Sequence, residues 1–495
     1  MKGTTTVSLA GEPLVPEGDA ARDAPVLVLA WSAEEPDRAG EVAFSGQLGQ
    51  AMVLGRGDDG GADRMRFVRQ RPQRIEERGP LVGRALSRRQ LLVKRFAGGL
   101  EVEQAGRCPL FVNGAAVDRA AVTQGDVVWL RGQLVLYCAE RPAKLPAARY
   151  FPDDSWGSFG EPDKLGILGE SPAAWKLRDQ IAFAAKSGAH VLLRGDSGSG
   201  KELAARAIHH LSPRTSRALV SRNAATFPSG LIDAELFGNV KNYPNPGMPE
   251  RPGLVGQANG STLFLDEIGE LPTDMQAHLL RVLDEGGEYQ KLGEATPRRS
   301  DLRLIGATNR PSTSLKHDLL ARLSVRIELP PLAERREDIP LLVRHLVLRA
   351  AERSPEVAAR FVVRREGRAE PRIDAALVDA LLRRRFATNV RELDALLWQA
   401  MGAAGSDVIG LTDAIASETL DAQSADLARR QGTGVDSGRP RAPTREPTAD
   451  EIRASVHREK GNVRRAAEAL GLPSRYALYR LMKKHGIDPK GEAGG

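Results

Sequence analysis

Between residues 25 and 141, short apolar runs are separated by glycine and charge clusters. They fall at 26–30, 50–54, 91–96, 110–112, 127–130 and 134–137. That spacing predicts an all-β sandwich. From 164 to 330 the pattern changes. Apolar strands at 190–194, 218–223, 262–265, 302–308 and 325–329 alternate with helical periodicity, which predicts a three-layer α/β subdomain around a parallel sheet. Residues 331–420 keep only the helical period and read as an all-helical lid. A segment at 448–490 holds two amphipathic stretches around a Leu-Gly-Leu-Pro-Ser break, the pattern of a helix-turn-helix. Residues 1–24 read as a flexible tail, 142–163 as a polar linker, and 421–447, rich in Gly, Pro, Ser, Arg and Gln, as a flexible linker. The expected fold class is therefore multidomain: an N-terminal sandwich, a central α/β unit with a helical lid, and a C-terminal all-α unit.

The strongest chemical signal sits between the run 190–194 (HVLLR) and the helical run 202–210 (ELAARAIHH). It is Gly195, Asp196, Ser197, Gly198, Ser199, Gly200, Lys201 and Glu202, a phosphate-binding loop. Its glycines let successive backbone N–H groups turn inward around a polyphosphate, and the helix start adds its positive end. Lys201 is placed to reach the β- and γ-phosphates. Downstream, the apolar strand in TLFLDE (262–267) ends in two carboxylates. Asp266 suits Mg²⁺, directly or through water, and Glu267 suits polarisation of an attacking water, because phosphoryl transfer depends on positioning and charge stabilisation. These residues imply binding of a nucleoside triphosphate with Mg²⁺.

Composition narrows the setting. The 495 residues carry a formal net charge of +7, so a polyanionic partner is plausible, and the 27% charged and 41% hydrophobic content is ordinary for a globular protein. Only two cysteines occur, Cys108 and Cys138, which fits a reduced interior rather than a disulfide framework. The N-terminal stretch lacks an apolar signal core and the run 25–31 is too short to span a bilayer. A cytoplasmic location with no membrane partner is expected.

From 165 to about 420 the chain resembles the AAA+ domain of sigma-54-dependent transcriptional activators, the bacterial enhancer-binding proteins. The resemblance is carried by LGILGESPA (165–173), GDSGSGKELAARAIHHLSPR (195–214), ELFGNVK (235–241), STLFLDEIGELP (261–272), LRLIGATNR (302–310), LPPLAERREDIP (329–340) and NVREL (389–393). It implies ATP as the nucleotide and further roles by position: Asn309 as sensor I, Asn223 as the partner that orients Glu267, and Arg391 as sensor II in the lid. It also implies that LKHDLLARL (315–323) supplies arginine fingers to a neighbouring subunit of a homo-oligomeric ring, usually six- or sevenfold. Arg322 keeps one finger, while the other position is Lys316, which retains charge without the planar fork.

One segment departs from that family. The sigma-contacting loop, FGxVKGAFTGA in the family, is replaced here by FGNVK (237–241) followed by Asn242, Tyr243, Pro244, Asn245, Pro246 and Gly247. The tip is stiffened by proline and is polar apart from Tyr243. Contact with the sigma-54 RNA polymerase holoenzyme is accordingly in question, and RFAT (385–388) departs from the usual WPG ahead of NVREL.

In the sandwich, LGRG (54–57), LSRRQ (86–90) and VNG (112–114) stand in the order of a forkhead-associated (FHA) domain. The resemblance implies phosphothreonine-peptide binding by Arg56 and Ser87, charge from Arg88 or Arg89, and a hold on the peptide backbone by Asn113; Gln90 replaces the usual His. A guanidinium suits phosphate because its donors form a fork. The C-terminal segment resembles the Fis-type helix-turn-helix through GNVRRAAEALGL and ALYRLMKKHGI, with ten basic against five acidic residues between 450 and 490. Ser474, Arg475 and Tyr476 are candidates for base or phosphate contacts with double-stranded DNA, and Arg480, Lys483 and Lys484 for phosphates.

The sequence thus reads as an ATP-dependent, DNA-binding regulator of the sigma-54 activator family, controlled through phosphopeptide recognition. Two alternatives stand beside it. One is a DNA-bound AAA+ ATPase or scaffold that does not engage sigma-54; the other is a binding module with nucleotide affinity and no turnover.

Overall fold

The computed structural model describes residues 23–57, 61, 63–228, 230–284, 286–365, 367–416, 448–458, 470, 478 and 481–482. They fall into two compact units, Met1–Ala422 and Gln423–Gly495. The first therefore joins three segments that the sequence predicts as separate: sandwich, α/β subdomain and lid.

The sandwich is built from an eight-stranded and a four-stranded sheet. The larger runs in the order Arg74–Glu77, Phe67–Arg71, Val42–Phe44, Asp23–Ser32, Leu134–Pro142, Val127–Leu130, Leu110–Val112, Ala115–Ala116; the smaller in the order Arg119–Val122, Gly99–Gln104, Leu91–Phe96, Ala51–Leu54. Its central ladder is the long antiparallel pair Asp23–Ser32 and Leu134–Pro142. Several strands escape the sequence reading because they are short or carry charge at alternate positions, as in FVRQR (67–71) and GLEVEQ (99–104).

The side-chain alternation of that ladder has an unexpected outcome. Leu27, Leu29, Leu134, Leu136 and Cys138 point into the sandwich interior. Val26, Val28, Ala30, Val135, Tyr137 and Ala139 point the other way and are buried too, in one continuous core with Leu341, Leu342 and Leu346 of the lid helix Ile339–Arg353 and Leu377, Val378 and Leu381 of the lid helix Ala375–Arg383. A strand covered on both faces is apolar at nearly every position, and the run 24–30 is buried throughout. Several polar groups at this seam are paired, although the indole N–H of Trp129, packed on the same core, has no partner among the described residues. Trp31 Nε1 donates to Ile373 O (3.1 Å), and the Arg141 guanidinium meets the Glu337 carboxylate at 3.0 Å with both side chains buried. Arg365 Nη1 donates to Ala33 O (2.9 Å).

Two further expectations are corrected. Residues 142–163 form a packed strap rather than a loose linker: Leu145 and Phe151 are buried, Trp156 stacks 4.7 Å from Trp175, and Asp163 holds Arg178 at 2.8 Å. The segment 331–420 is not wholly helical, since Val362–Arg365 and Arg368–Pro371 form an antiparallel hairpin. Cys108 and Cys138 are both free and buried, as the reduced reading expects, and burial pushes the Cys138 thiol up to about 12. Among the described residues no helix is long and apolar enough to cross a membrane. In the second unit only the helix Ala449–Arg458 and a few positions are described, with Ile452, Leu478, Leu481 and Met482 buried. The linker residues 421–447 lie outside the described residues.

A charge placed at the seam tests the joint. Val28→Asp is expected to cost at least about 3 kcal/mol, because it buries an unpaired carboxylate between sandwich and lid. Calorimetry is expected to show sandwich and lid unfolding at the same lowered temperature; a lid transition that stays in place would contradict a shared core.

Candidate functional site

The α/β subdomain carries a parallel sheet in the order Val220–Asn223, Thr262–Asp266, Arg303–Thr308, Val191–Arg194, Val325–Glu328. In such sheets ligands gather beyond the carboxyl ends of the strands, and the predicted residues collect there. The phosphate loop follows Val191–Arg194 and opens the helix Lys201–His210. Asn223 stands opposite Asp266 in register, Glu267 follows directly, and Asn309 follows the neighbouring strand.

The loop is shaped by Gly198 and Gly200, whose φ values are 73° and 103°. Gly198 has a second reason to lack a side chain: a Cβ there would lie 2.1 Å from Thr388 O of the lid. Lys201 is nearly buried, donates to Gly195 O at 2.8 Å and Asp196 O at 3.3 Å, and stands 4.0 Å from Glu267. Glu202 is paired with Arg206 one turn on. Asp266 Oδ1 accepts from Glu267 N (3.0 Å), and Glu267 sits at φ 49°, a left-handed conformation uncommon outside glycine. Glu267 Oε2 accepts from Asn309 N at 3.4 Å. The expected Asn223–Glu267 pair is not made: the Asn223 amide oxygen instead caps the following turn by accepting from Ala225 N (2.9 Å). A local cap competes for an Asn side chain at a strand end.

The lid closes on the loop from the other side. Arg391 Nη1 donates to Ser197 Oγ (2.9 Å), Asn389 Nδ2 to Ser197 O (3.0 Å), and Val390 N to Gly198 O (3.3 Å). Asn389, which sequence reasoning missed, also accepts from Leu332 N at 2.7 Å and so ties both ends of the lid to the loop. Its φ of 50° is the signal, since Asn tolerates the left-handed region better than most residues. Between loop and lid lies a cavity of about 650 Å³. Its walls include Ile167, Leu168, Gly198, Lys201, Asn223, Asp266, Glu267, Leu342 and Arg391. Burial and the nearby Arg349 hold His345, also on the wall, below the usual histidine range.

Lys316 and Arg322 lie away from these walls. Lys316 starts the helix His317–Arg322 with its N–H on Gln276 Oε1 (2.8 Å), and Arg322 pairs with Asp284 at 2.6 Å. The divergent loop is laced to itself. Asn239, fully buried, donates to Val240 O, Tyr243 O and Pro249 O, and Asn242 Oδ1 accepts from Gly247 N (2.9 Å). Tyr243, 41% exposed, lies so close over Gly293 that a Cβ there would come within 2.6 Å of its ring. Pro244 and Asn245 are exposed.

In the sandwich, Arg56 N donates to Ser87 O (3.1 Å), and Gly55 permits this approach: a Cβ there would lie 2.2 Å from Arg88 O. Ser87 Oγ accepts from the backbone N–H of Arg107 (3.0 Å), a contact that the sequence reading did not include. Gln90 is fully buried and braces the loop, accepting from Ser87 N (3.1 Å) and donating to Cys108 O (2.9 Å). Arg88 and Arg89 are exposed, and a cavity of about 290 Å³ beside them is lined by Gly55, Gly57, Arg64 and Arg66. Asn113 is used differently. Its amide donates to Asp126 Oδ1 (2.8 Å) and accepts from Val127 N (2.9 Å), and the next residue, Gly114, abuts Arg383 of the lid. The DNA candidates Ser474, Arg475, Tyr476, Arg480, Lys483 and Lys484 lie outside the described residues.

Residues 167–329 match the family described as the sigma-54 interaction domain, and 333–430 match an AAA+ ATPase lid domain. The chain is 35% identical over 351 residues to the DNA-binding transcriptional regulator NtrC of Azospirillum brasilense, covering 69% of this chain and 64% of that one. It thus spans less than two-thirds of that regulator. It is 34% identical over 332 residues to the transcriptional regulatory protein GlrR of Escherichia coli K12, covering 65% of this chain and 68% of that one. The crystal structure of NtrX from Brucella abortus in complex with ATP is 28% identical, with a TM-score of 0.44 over 68% of this chain and 70% of that one. With a sigma-54 interaction domain, an AAA+ lid and a close relative matched over most of its length, the chain belongs to the family of sigma-54-dependent transcriptional regulators.

Proposed function

We propose that this protein is an ATP-hydrolysing, DNA-binding transcription regulator that works as a homo-oligomeric ring. The observation that carries the reading is the convergence of Lys201, Asp266, Glu267 and Arg391 on one cavity at the strand ends. The phosphate-loop N–H groups and Lys201 hold the polyphosphate, Lys201 exchanging the carbonyls of Gly195 and Asp196 for phosphate oxygens. Asp266 has one carboxylate oxygen on Glu267 N and the other available, which fits Mg²⁺ shared with the phosphates. Mg²⁺ would supply charge neutralisation across the β- and γ-oxygens. Glu267 orients the attacking water, Asn309 sits beside it, and Asn223 exchanges its cap for the Glu267 carboxylate as the site responds to nucleotide. Arg322 and Lys316, directed away from their own cavity, serve the adjoining subunit, which requires Arg322 to leave Asp284.

Control is assigned to the sandwich, read as an FHA domain. Arg56, Ser87 and Arg88 offer phosphate donors at one end, and Arg56 Nε is buried with no hydrogen-bond partner among the described residues. A phosphothreonine-containing protein is the proposed ligand, and the seam with the lid is the route by which its binding reaches Arg391. Asn113 takes part as a brace of the turn that abuts Arg383. The C-terminal segment anchors the assembly on double-stranded DNA through Ser474–484 basic and polar side chains, and the location is proposed to be cytoplasmic.

A second reading keeps the motor and changes its target. The self-laced loop at 239–250, with Tyr243 packed on Gly293, favours a partner other than the sigma-54 RNA polymerase holoenzyme.

Three outcomes are expected. Glu267→Gln should lower kcat for ATP hydrolysis by about 100-fold or more while nucleotide binding persists, as seen by comparing turnover with equilibrium binding; turnover equal to the parent would mean that the cavity does not hydrolyse ATP. Trapping with ADP and aluminium fluoride should capture sigma-54, and Tyr243→Ala should abolish capture; a hydrolysing, DNA-binding protein that captures none would support the second reading. Arg56→Glu should lose phosphothreonine-peptide binding in fluorescence anisotropy, and unchanged affinity would remove the FHA assignment.

A further inference from the structure

Arg335 is a buried cation whose side chain makes no hydrogen bond or salt bridge among the described residues. It lies between the turns Leu332–Glu334 and Arg336–Asp338, where the lid begins, and its backbone is tied there: its N–H donates to Leu332 O (3.2 Å) and its carbonyl accepts from Asp338 N (2.9 Å). Its side chain is only 6% exposed, lines the cavity between phosphate loop and lid, and has Nε shut away from solvent with no hydrogen-bond partner. No described carboxylate pairs with it. Of the acids beside it in sequence, Glu334 is exposed, Glu337 pairs with Arg141, and Asp338 accepts from Glu170 N (2.8 Å), Ser171 N (2.9 Å) and Ser171 Oγ (2.6 Å). Burial holds the Arg335 guanidinium below the usual arginine range, with attraction to Asp338 opposing the shift and repulsion from Arg178 adding to it.

Other buried arginines show what is missing. Arg178 meets Asp163 and the carbonyls of Gly169 and Ile167, Arg141 meets Glu337, and Arg303 donates to the carbonyls of Ala184, Ala185 and Ala189. A guanidinium with a nitrogen buried and unpaired, as Nε is here, is costly, and the cost is relieved when a group with lone pairs arrives. The cavity walls say which group. Phosphates are served by Lys201, the loop N–H groups and Arg391. The same walls also carry the apolar side chains of Ile167, Leu168, Leu342 and Leu346, suited to a base. Arginine only donates, and purine ring nitrogens accept.

We propose that Arg335 binds the nucleotide's base, donating from its guanidinium to ring nitrogen lone pairs. The proposal rests on the nucleotide-binding reading of this cavity and names a base-contacting residue within it. It predicts a pair of opposite effects. Arg335→Met, which keeps much of the length and removes the charge, leaves the nucleotide-free protein no less thermally stable than the parent, because it deletes an uncompensated buried charge. The same change weakens nucleotide binding about 10-fold or more.

The test uses the full chain, with thermal unfolding measured without nucleotide and affinities for ADP and ATP measured by calorimetry, with Lys201→Ala as a phosphate-side control. An equal loss for ADP and ATP, with unfolding temperature held or raised, supports base contact. A loss confined to ATP places Arg335 on the γ-phosphate and overturns the proposal, as does unchanged affinity. A lowered unfolding temperature in the absence of nucleotide also overturns it, since Arg335 would then be structural. If the parent binds neither nucleotide, the reading of the cavity itself fails, and that result is distinct from a parent that binds with an Arg335→Met protein that binds equally well.

Discussion

The structure depends on one sheet face having no contact with water. The ladder of Asp23–Ser32 with Leu134–Pro142 is covered by the smaller sheet on one side and by lid helices on the other. Once both faces are dry, every polar group along the seam needs a partner, and the pairs Trp31 with Ile373 O and Arg141 with Glu337 follow from that demand. A buried ion pair of this kind adds little net stability over an apolar contact, yet breaking it leaves a stranded charge. It therefore acts as a register pin: the sandwich sits on the lid in one orientation or leaves a penalty behind.

This joint changes what a regulatory domain means here. A tethered sensor reports by binding or releasing its neighbour. A sandwich that shares a core with the lid moves with it. Because Asn389 and Arg391 of that lid grip Ser197 of the phosphate loop, anything that displaces the lid acts on the nucleotide site, and nucleotide that draws the lid acts back on the sandwich by the same free energy. The turn at Asn113 and Gly114 is the place where sandwich loops touch the helix Ala375–Arg383, and Arg384, just beyond that helix, pairs with Glu392 beside Arg391.

The sequence was most legible where chemistry forces residue type. The run 195–202 and the carboxylates 266 and 267 could be placed at strand ends because few other residues can do that work, and the five parallel strands were read to within a residue or two at each end. The seam was harder to see. Runs such as 25–31 and 134–139 are apolar throughout, which identifies a strand but leaves open what covers its second face. Strands with charge at alternate positions, such as Phe67–Arg71, and the lid hairpin near 362–371 lacked an apolar run altogether. The pairing of Asn223 with Glu267 followed from family position, and local capping by Ala225 N decides otherwise in this structure. Asn389 was legible only through its backbone angle.

The lid's two contacts differ in kind. The lid holds the phosphate loop through a handful of hydrogen bonds from Asn389, Val390 and Arg391, each worth about 1 kcal/mol net. It holds the sandwich through buried Val, Leu and Phe side chains, each worth roughly 1.5–3 kcal/mol. Contact for contact, the loop–lid hydrogen bonds are weaker than the apolar seam, while Arg71 with Glu170 and Asp338 with Ser171 add polar ties from sandwich and lid to the α/β subdomain. Gly198 sharpens the point: its backbone comes so near Thr388 O that the closed contact tolerates no side chain, while opening relieves nothing on the sandwich side. The apolar seam therefore couples the sandwich to the lid more firmly than hydrogen bonds alone couple the lid to the loop.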